Sequence, residues 1–178
     1  NPIYVRSNFC GSCHQKTYKE WKGTGVEDTC QNCHMPRKKD RLTDKFPLSL
    51  LHKRKWVGNH KFLHGDLNEK DILLEAEFKG KLFNFNLLNK TVPHNVPSAD
   101  NGDPRLYLYI TFLNEAGEQV DQTKEVLAPQ QDTALPFNKK VSFSYRLFNW
   151  VAQANIVLKY QSAWSKEKDL VWEKTIRQ

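Results

Sequence analysis

The chain has 178 residues, of which 39% are hydrophobic, 12% aromatic and 26% charged. That composition excludes a disordered segment and fits one ordinary domain or two small ones. Its apolar stretches, such as 106–110, are short and its mean hydropathy is -0.70, far from the roughly 18 consecutive apolar residues of a membrane-crossing helix. The net charge of +7 lies wholly in the first 70 residues, which hold 14 Lys/Arg against 7 Asp/Glu. A basic excess so placed suits nucleic acid, an anionic surface or an anionic cofactor.

In chain order, the first feature is Cys10-Gly11-Ser12-Cys13-His14, and Cys30-Gln31-Asn32-Cys33-His34 repeats it. The four cysteines are the only ones in the sequence. Each pentapeptide is C-x-x-C-H, the attachment sequence of c-type haem. Two thiols at this spacing add across the haem vinyl groups, and the adjoining histidine becomes the ligand beneath the iron. Two covalently attached haems are therefore expected, held by Cys10, Cys13 and His14 and by Cys30, Cys33 and His34. The same cysteines also read C-x2-C-x16-C-x2-C, within the window of a four-cysteine zinc ribbon. A histidine directly after each pair has no role in such a site, and it favours haem. The haem propionates would also offset part of the basic excess.

Between the motifs the sequence predicts one short helix around 15–21, ended by Gly23 and Gly25. Phe9, Tyr18 and Trp21 are candidates to pack on a porphyrin, which would supply much of the core that residues 1–66 lack. The runs Arg37-Lys38-Lys39 and Lys53-Arg54-Lys55 read as a solvated face, an acidic-partner surface or propionate partners. Four histidines, His52, His60, His64 and His94, remain for the far side of the two irons. The single methionine, Met35, adjoins His34 and cannot serve that histidine's own iron. At least one iron cannot be His/Met, and bis-histidine ligation of both is the simplest reading, with a lower potential than His/Met would give. His60 and His64 would share one helical face. His52 sits in a charged run and reads as solvated. His94 lies between Pro93 and Pro97 in a stiff loop, as suits a pre-set ligand.

From about residue 71 the pattern changes to strict alternation. Candidate strands are 72–78, 81–87, 105–114, 119–127, 141–147, 155–160 and 170–174, with a hairpin turn at Glu115-Ala116-Gly117-Glu118. Leu106, Leu108, Ile110 and Phe112 should line a core. The run 98–103 reads as an acidic turn, with calcium a minor alternative because its spacing is not that of an EF-hand loop. The expected fold class is α+β: a small haem-wrapped segment with short helices over 1–66, a dihaem c-type cytochrome domain, then an antiparallel immunoglobulin-like β-sandwich over 67–178.

The chain resembles the multihaem c-type cytochromes related to cytochrome c-554. The residues that carry the likeness are Cys10-Gly11-Ser12-Cys13-His14, Tyr18-Lys19-Glu20-Trp21 and Cys30-Gln31-Asn32-Cys33-His34-Met35-Pro36. Asn59-His60-Lys61-Phe62-Leu63-His64-Gly65 is similar to a segment that supplies a distal histidine in such proteins, which implies His60. His94-Asn95-Val96-Pro97, with Arg105-Leu106-Tyr107-Leu108, is similar to a loop and strand of their β-domain, which implies His94. The chain departs from the group in having two haem sites, in lacking a histidine after Trp21, and in having Pro93 where glycine is usual.

The metal ligands expected are thus His14, His34, His60 and His94. The expected function is electron transfer rather than an enzyme activity. The partners would be other redox proteins or cytochromes, alone or within a larger multihaem assembly, and no nucleic acid. Covalent haem attachment takes place outside the cytoplasm, so a periplasmic or extracellular location follows. The rival readings are a haem enzyme or gas sensor with one open iron position, and the zinc-ribbon binding module.

Overall fold

The computed structural model describes residues 2–58, 67–148 and 150–178. It is an α+β chain, mostly antiparallel sheet with a few short helices. The first part holds a 3-10 turn at Pro2–Val5, α1 (Ser7–Cys10), α2 (Gln15–Lys22), α3 (Cys30–His34), β1 (Arg37–Asp40), α4 (Leu48–Leu51) and β2 (Lys55–Gly58). The second holds β3 (Ile72–Lys79), β4 (Leu82–Asn89), β5 (Arg105–Leu113), β6 (Gln119–Leu127), β7 (Lys140–Arg146), β8 (Gln153–Gln161) and β9 (Asp169–Arg177). All seven expected strands are present, each within a few residues of its expected ends. Among the described residues no helix is long and apolar enough to cross a membrane.

The seven later strands form two antiparallel sheets, in the orders β3-β4-β7 and β6-β5-β8-β9. Alternation explains both. Phe83, Phe85 and Leu87 of β4 point one way, as do Leu106, Leu108, Ile110 and Phe112 of β5 and Ala154, Ile156 and Leu158 of β8, and all are buried. These side chains form one core between the sheets. Phe83 meets Phe112 edge to face across it, with ring centroids 5.6 Å apart. The Trp172 indole N–H on β9 donates to the Ile72 carbonyl on β3 at 2.9 Å. Among the described residues, every member of this core lies at residue 67 or beyond. Hydrophobic core therefore cannot explain how residues 2–58 are held.

One inward position is polar. Asn89 ends the Phe83, Phe85, Leu87 row and is wholly buried. Its side-chain N–H groups donate to the carbonyls of Val92 (3.0 Å) and His94 (2.7 Å), and its Oδ1 accepts from the Val92 amide at 3.1 Å. The chain leaving β4 is thus folded back on a single amide. Just beyond, Val96 and Leu135 exchange both backbone hydrogen bonds, at 2.9 and 2.8 Å.

The first part contains a hairpin that the sequence analysis missed. β1 and β2 pair antiparallel, with Arg37 opposite Gly58 and Asp40 opposite Lys55. The strand Arg-Lys-Lys-Asp has no apolar alternation to reveal it, because it is exposed on both faces apart from Asp40.

Candidate functional site

Local structure places the two cysteine motifs. In the first, α1 ends at Cys10 and the chain continues for one turn, with the amides of Cys13 and His14 donating to the Cys10 carbonyl at 3.1 and 2.8 Å. In the second, α3 itself spans Cys30–His34, so Cys30, Cys33 and His34 stand at i, i+3 and i+4 on one helical face. Thr29 caps α3, its hydroxyl accepting from the Asn32 amide at 3.3 Å. The second motif therefore sets two thiols and an imidazole on one helical face, as covalent haem attachment requires. Gly11 has a packing reason to be glycine: a Cβ there would lie 2.6 Å from the Tyr18 ring. Tyr18 in turn stacks with Trp21 at 5.6 Å, and Phe9 meets Tyr4 edge to face at 4.8 Å.

The motifs are fastened together. The hydroxyl of Ser7, a buried residue, accepts from the Cys30 amide at 3.0 Å. The Gln31 side-chain amide donates to the carbonyls of Tyr4 and Arg6, at 3.1 and 2.9 Å. Burial and the neighbouring Cys30 thiol push the Cys10 thiol above its ordinary value, and burial followed by Asp28 does the same for Cys33. Both are therefore thiols rather than thiolates at neutral pH. Among the described residues, no three His, Cys, Asp or Glu side chains converge as metal ligands.

The β-part reaches this region through one loop and one helix. Asp100 caps α2 from 84 residues away, its two carboxylate oxygens accepting from the Lys16 and Thr17 amides at 2.6 and 3.3 Å. The local N-cap residue, His14, makes no such side-chain bond. The Thr17 and Ser98 hydroxyls share a hydrogen bond at 2.8 Å, and Glu20 accepts from the Ser98 hydroxyl at 2.6 Å and the Asn95 amide at 3.3 Å. The acidic turn over 98–103 is thereby explained without calcium: Asp100 serves α2, and Asp103 pairs with Arg105 at 2.5 Å.

This docking brings the His94 ring against that of His34, the two rings stacking. Their centroids are 6.1 Å apart and their planes differ by 29°. A metal ion held between two imidazoles, with metal–nitrogen bonds of about 2 Å, would keep the rings at a comparable separation. The His94 tautomer suits the same role. Its Nδ1 lies 2.8 Å from the Asn95 carbonyl, which can only accept, so Nδ1 carries the proton. Burial lowers the His94 pKa below its ordinary value, more than the Asn95 carbonyl and Glu20 raise it. The neutral ring therefore keeps its lone pair on Nε2, as for most metal-bound histidines.

Of the other histidines, His14 is half-buried at the start of α2, and His52, read as solvated, is exposed at the end of α4. His60 and His64 lie outside the described residues. The Met35 methyl stands against Gly58 of β2.

Comparison with known proteins places the fold. No family model matches the chain, and no curated protein matches it in sequence. Its structure is similar to that of a penta-haem cytochrome c552 from Thermochromatium tepidum, with a TM-score of 0.63. The two chains share a fold. They are 18% identical over 97% of this chain and 56% of that cytochrome, so this chain spans little more than half its length.

Proposed function

We propose that this protein is a dihaem c-type cytochrome that carries electrons between redox partners outside the cytoplasm. Haem, when bound, supplies the one-electron iron couple. Cys10 and Cys13 would hold one haem with His14 beneath its iron, and Cys30 and Cys33 the other with His34. His94 is the second ligand at the His34 site. His60 is assigned to the His14 site on the resemblance alone. The single observation that carries this reading is the adjacent His34–His94 pair at 6.1 Å, reached from a C-x-x-C-H helix on one side and a loop of the β-part on the other.

The residues around the pair account for what such a carrier needs. The Asn95 carbonyl orients His94, and Asn89 holds the loop beneath it, so the ring has little to rearrange when the iron changes charge. The exposed side chains of Tyr4, Val5 and Phe9 lie close in sequence to the first motif, where a porphyrin would cover them. On this reading residues 1–66 form the haem domain and 67–178 a support domain. The strand order, with β4 to β5 and β6 to β7 passing between the sheets, supports an immunoglobulin-like sandwich for the latter.

The test is haem counting on the purified protein by intact mass and pyridine haemochrome, with spectra of the oxidised and dithionite-reduced forms. Two haems per chain and a low-spin reduced spectrum unmoved by carbon monoxide are expected. A high-spin band shifted by carbon monoxide would assign a haem enzyme or gas sensor instead. A colourless protein containing zinc would overturn the reading.

A further inference from the structure

The β1–β2 hairpin combines two properties that the proposed function leaves unused. It gathers the basic runs Arg37-Lys38-Lys39 and Lys53-Arg54-Lys55 into one lobe, with Lys39 opposite Trp56 and Asp40 opposite Lys55. Residues 37–55 carry eight Lys/Arg against Asp40 and Asp44, and all eight cations are exposed. One of them, Lys38, is paired with Asp40 at 2.5 Å. The same lobe exposes Leu42, Phe46, Leu48, Leu50, Leu51 and Trp56, with Phe46 81% and Leu51 79% accessible. The single turn of α4 carries three of these side chains outward after Pro47.

Cations alone would suit any anionic surface. Six large apolar side chains among them narrow the choice, because an acidic protein surface neutralises charge but gives Phe46 and Leu51 no apolar medium. A bilayer with anionic head groups provides for both, with Lys and Arg among the phosphates and Leu, Phe and Trp at the acyl boundary. The direction of the hairpin also fits. The Arg37–Gly58 rung adjoins the second cysteine motif in sequence, and the far rung, Asp40–Lys55, is three residues or about 10 Å further out. A lobe seated by its tip leaves the His34–His94 region open to a redox partner. The geometry points to the lobe of residues 37–58 as a docking surface for an anionic lipid bilayer.

The test is co-sedimentation of the full purified protein with vesicles of phosphatidylcholine alone and of phosphatidylcholine mixed with phosphatidylglycerol. At least tenfold more binding to the anionic vesicles is expected. Removing charge by Lys53→Gln or Arg54→Gln should weaken it about fivefold for each cation, the equivalent of about 1 kcal/mol. The double variant Phe46→Ser/Leu51→Ser, which leaves the charge unchanged, should weaken it at least tenfold. As a second measurement on the unaltered chain, anionic vesicles should protect Lys45 and Lys53 from trypsin. Equal binding to both vesicle types, no binding, or no trypsin protection would overturn the proposal. So would anionic binding untouched by Phe46→Ser/Leu51→Ser. Binding of soluble polyglutamate as tight as that of vesicles and equally indifferent to that double variant would assign the lobe to an acidic protein.

Discussion

The side-chain amide of buried Asn89 donates to the backbone carbonyl of His94 at 2.7 Å, so the last inward position of β4 holds the residue that faces His34. Asn89→Ala leaves the Val92 and His94 carbonyls and the Val92 amide without this partner. Orphaned buried groups of this kind should together cost about 3 kcal/mol. For a chain of this size that lowers Tm by roughly 6–12 °C. Thermal unfolding followed by circular dichroism checks it, and a loss under about 1 kcal/mol would mean that water replaces the amide.

His94→Ala removes one of the two adjacent rings and leaves the cysteine motifs intact. On the proposed dihaem reading, the reduced variant should bind carbon monoxide at one of two haems, where the parent protein should bind none. Titration by visible absorption reads this directly. A variant as unresponsive as the parent would place another ligand at the His34 site.

Asp100→Ala removes a helix cap supplied from a distant loop. A lost cap costs about 1 kcal/mol, and the local signature is faster hydrogen exchange at the Lys16 and Thr17 amides. Exchange confined to those two positions and their neighbours identifies the cap, whereas general acceleration would indicate undocking of the whole helix.

Stability should fall as the solution is acidified past the ordinary histidine value. Burial depresses the folded-state pKa of His94, so the unfolded chain takes up a proton first as pH drops. His94 therefore leaves stability intact above the ordinary pKa, and stability is lost progressively as pH falls toward the lower folded-state value. A metal ion on Nε2 competes for the same lone pair and deepens the loss in the same direction. Urea midpoints across this range, compared with His94→Asn, isolate the contribution, and the variant should show a shallower slope.

The β-part was legible because each strand has one face in the core and one toward water, which writes a period of two into the sequence. Even Asn89 left a trace, as the one polar residue continuing the Phe83, Phe85, Leu87 row, although its meaning required the loop it holds. The cysteine motifs were legible because covalent chemistry fixes their spacing. What stayed hidden was short or long-range. Helix α3 is five residues long, too short for any periodicity to appear. β1 carries charge on both faces. The bond from Asp100 to Lys16 joins residues 84 positions apart, so the acidic turn gave no sign that it caps a helix. Tyr107, on the face of β5 opposite Leu106 and Leu108, is buried as well, with the Lys124 and Lys168 ammonium groups over its ring at 4.8 and 4.1 Å.

The attachment of α2 to the loop over 92–103 also sets an order of events. Among the described residues every buried core member lies at residue 67 or beyond, so the two sheets can close on their own side chains before the cysteine segment arrives. The contacts that seat that segment are few, polar and separated by some eighty residues of chain, so their loop-closure entropy is met only once the sheets stand ready. The cysteine segment therefore docks after the sheets have closed, and its thiols stay reachable by a maturation machinery until then.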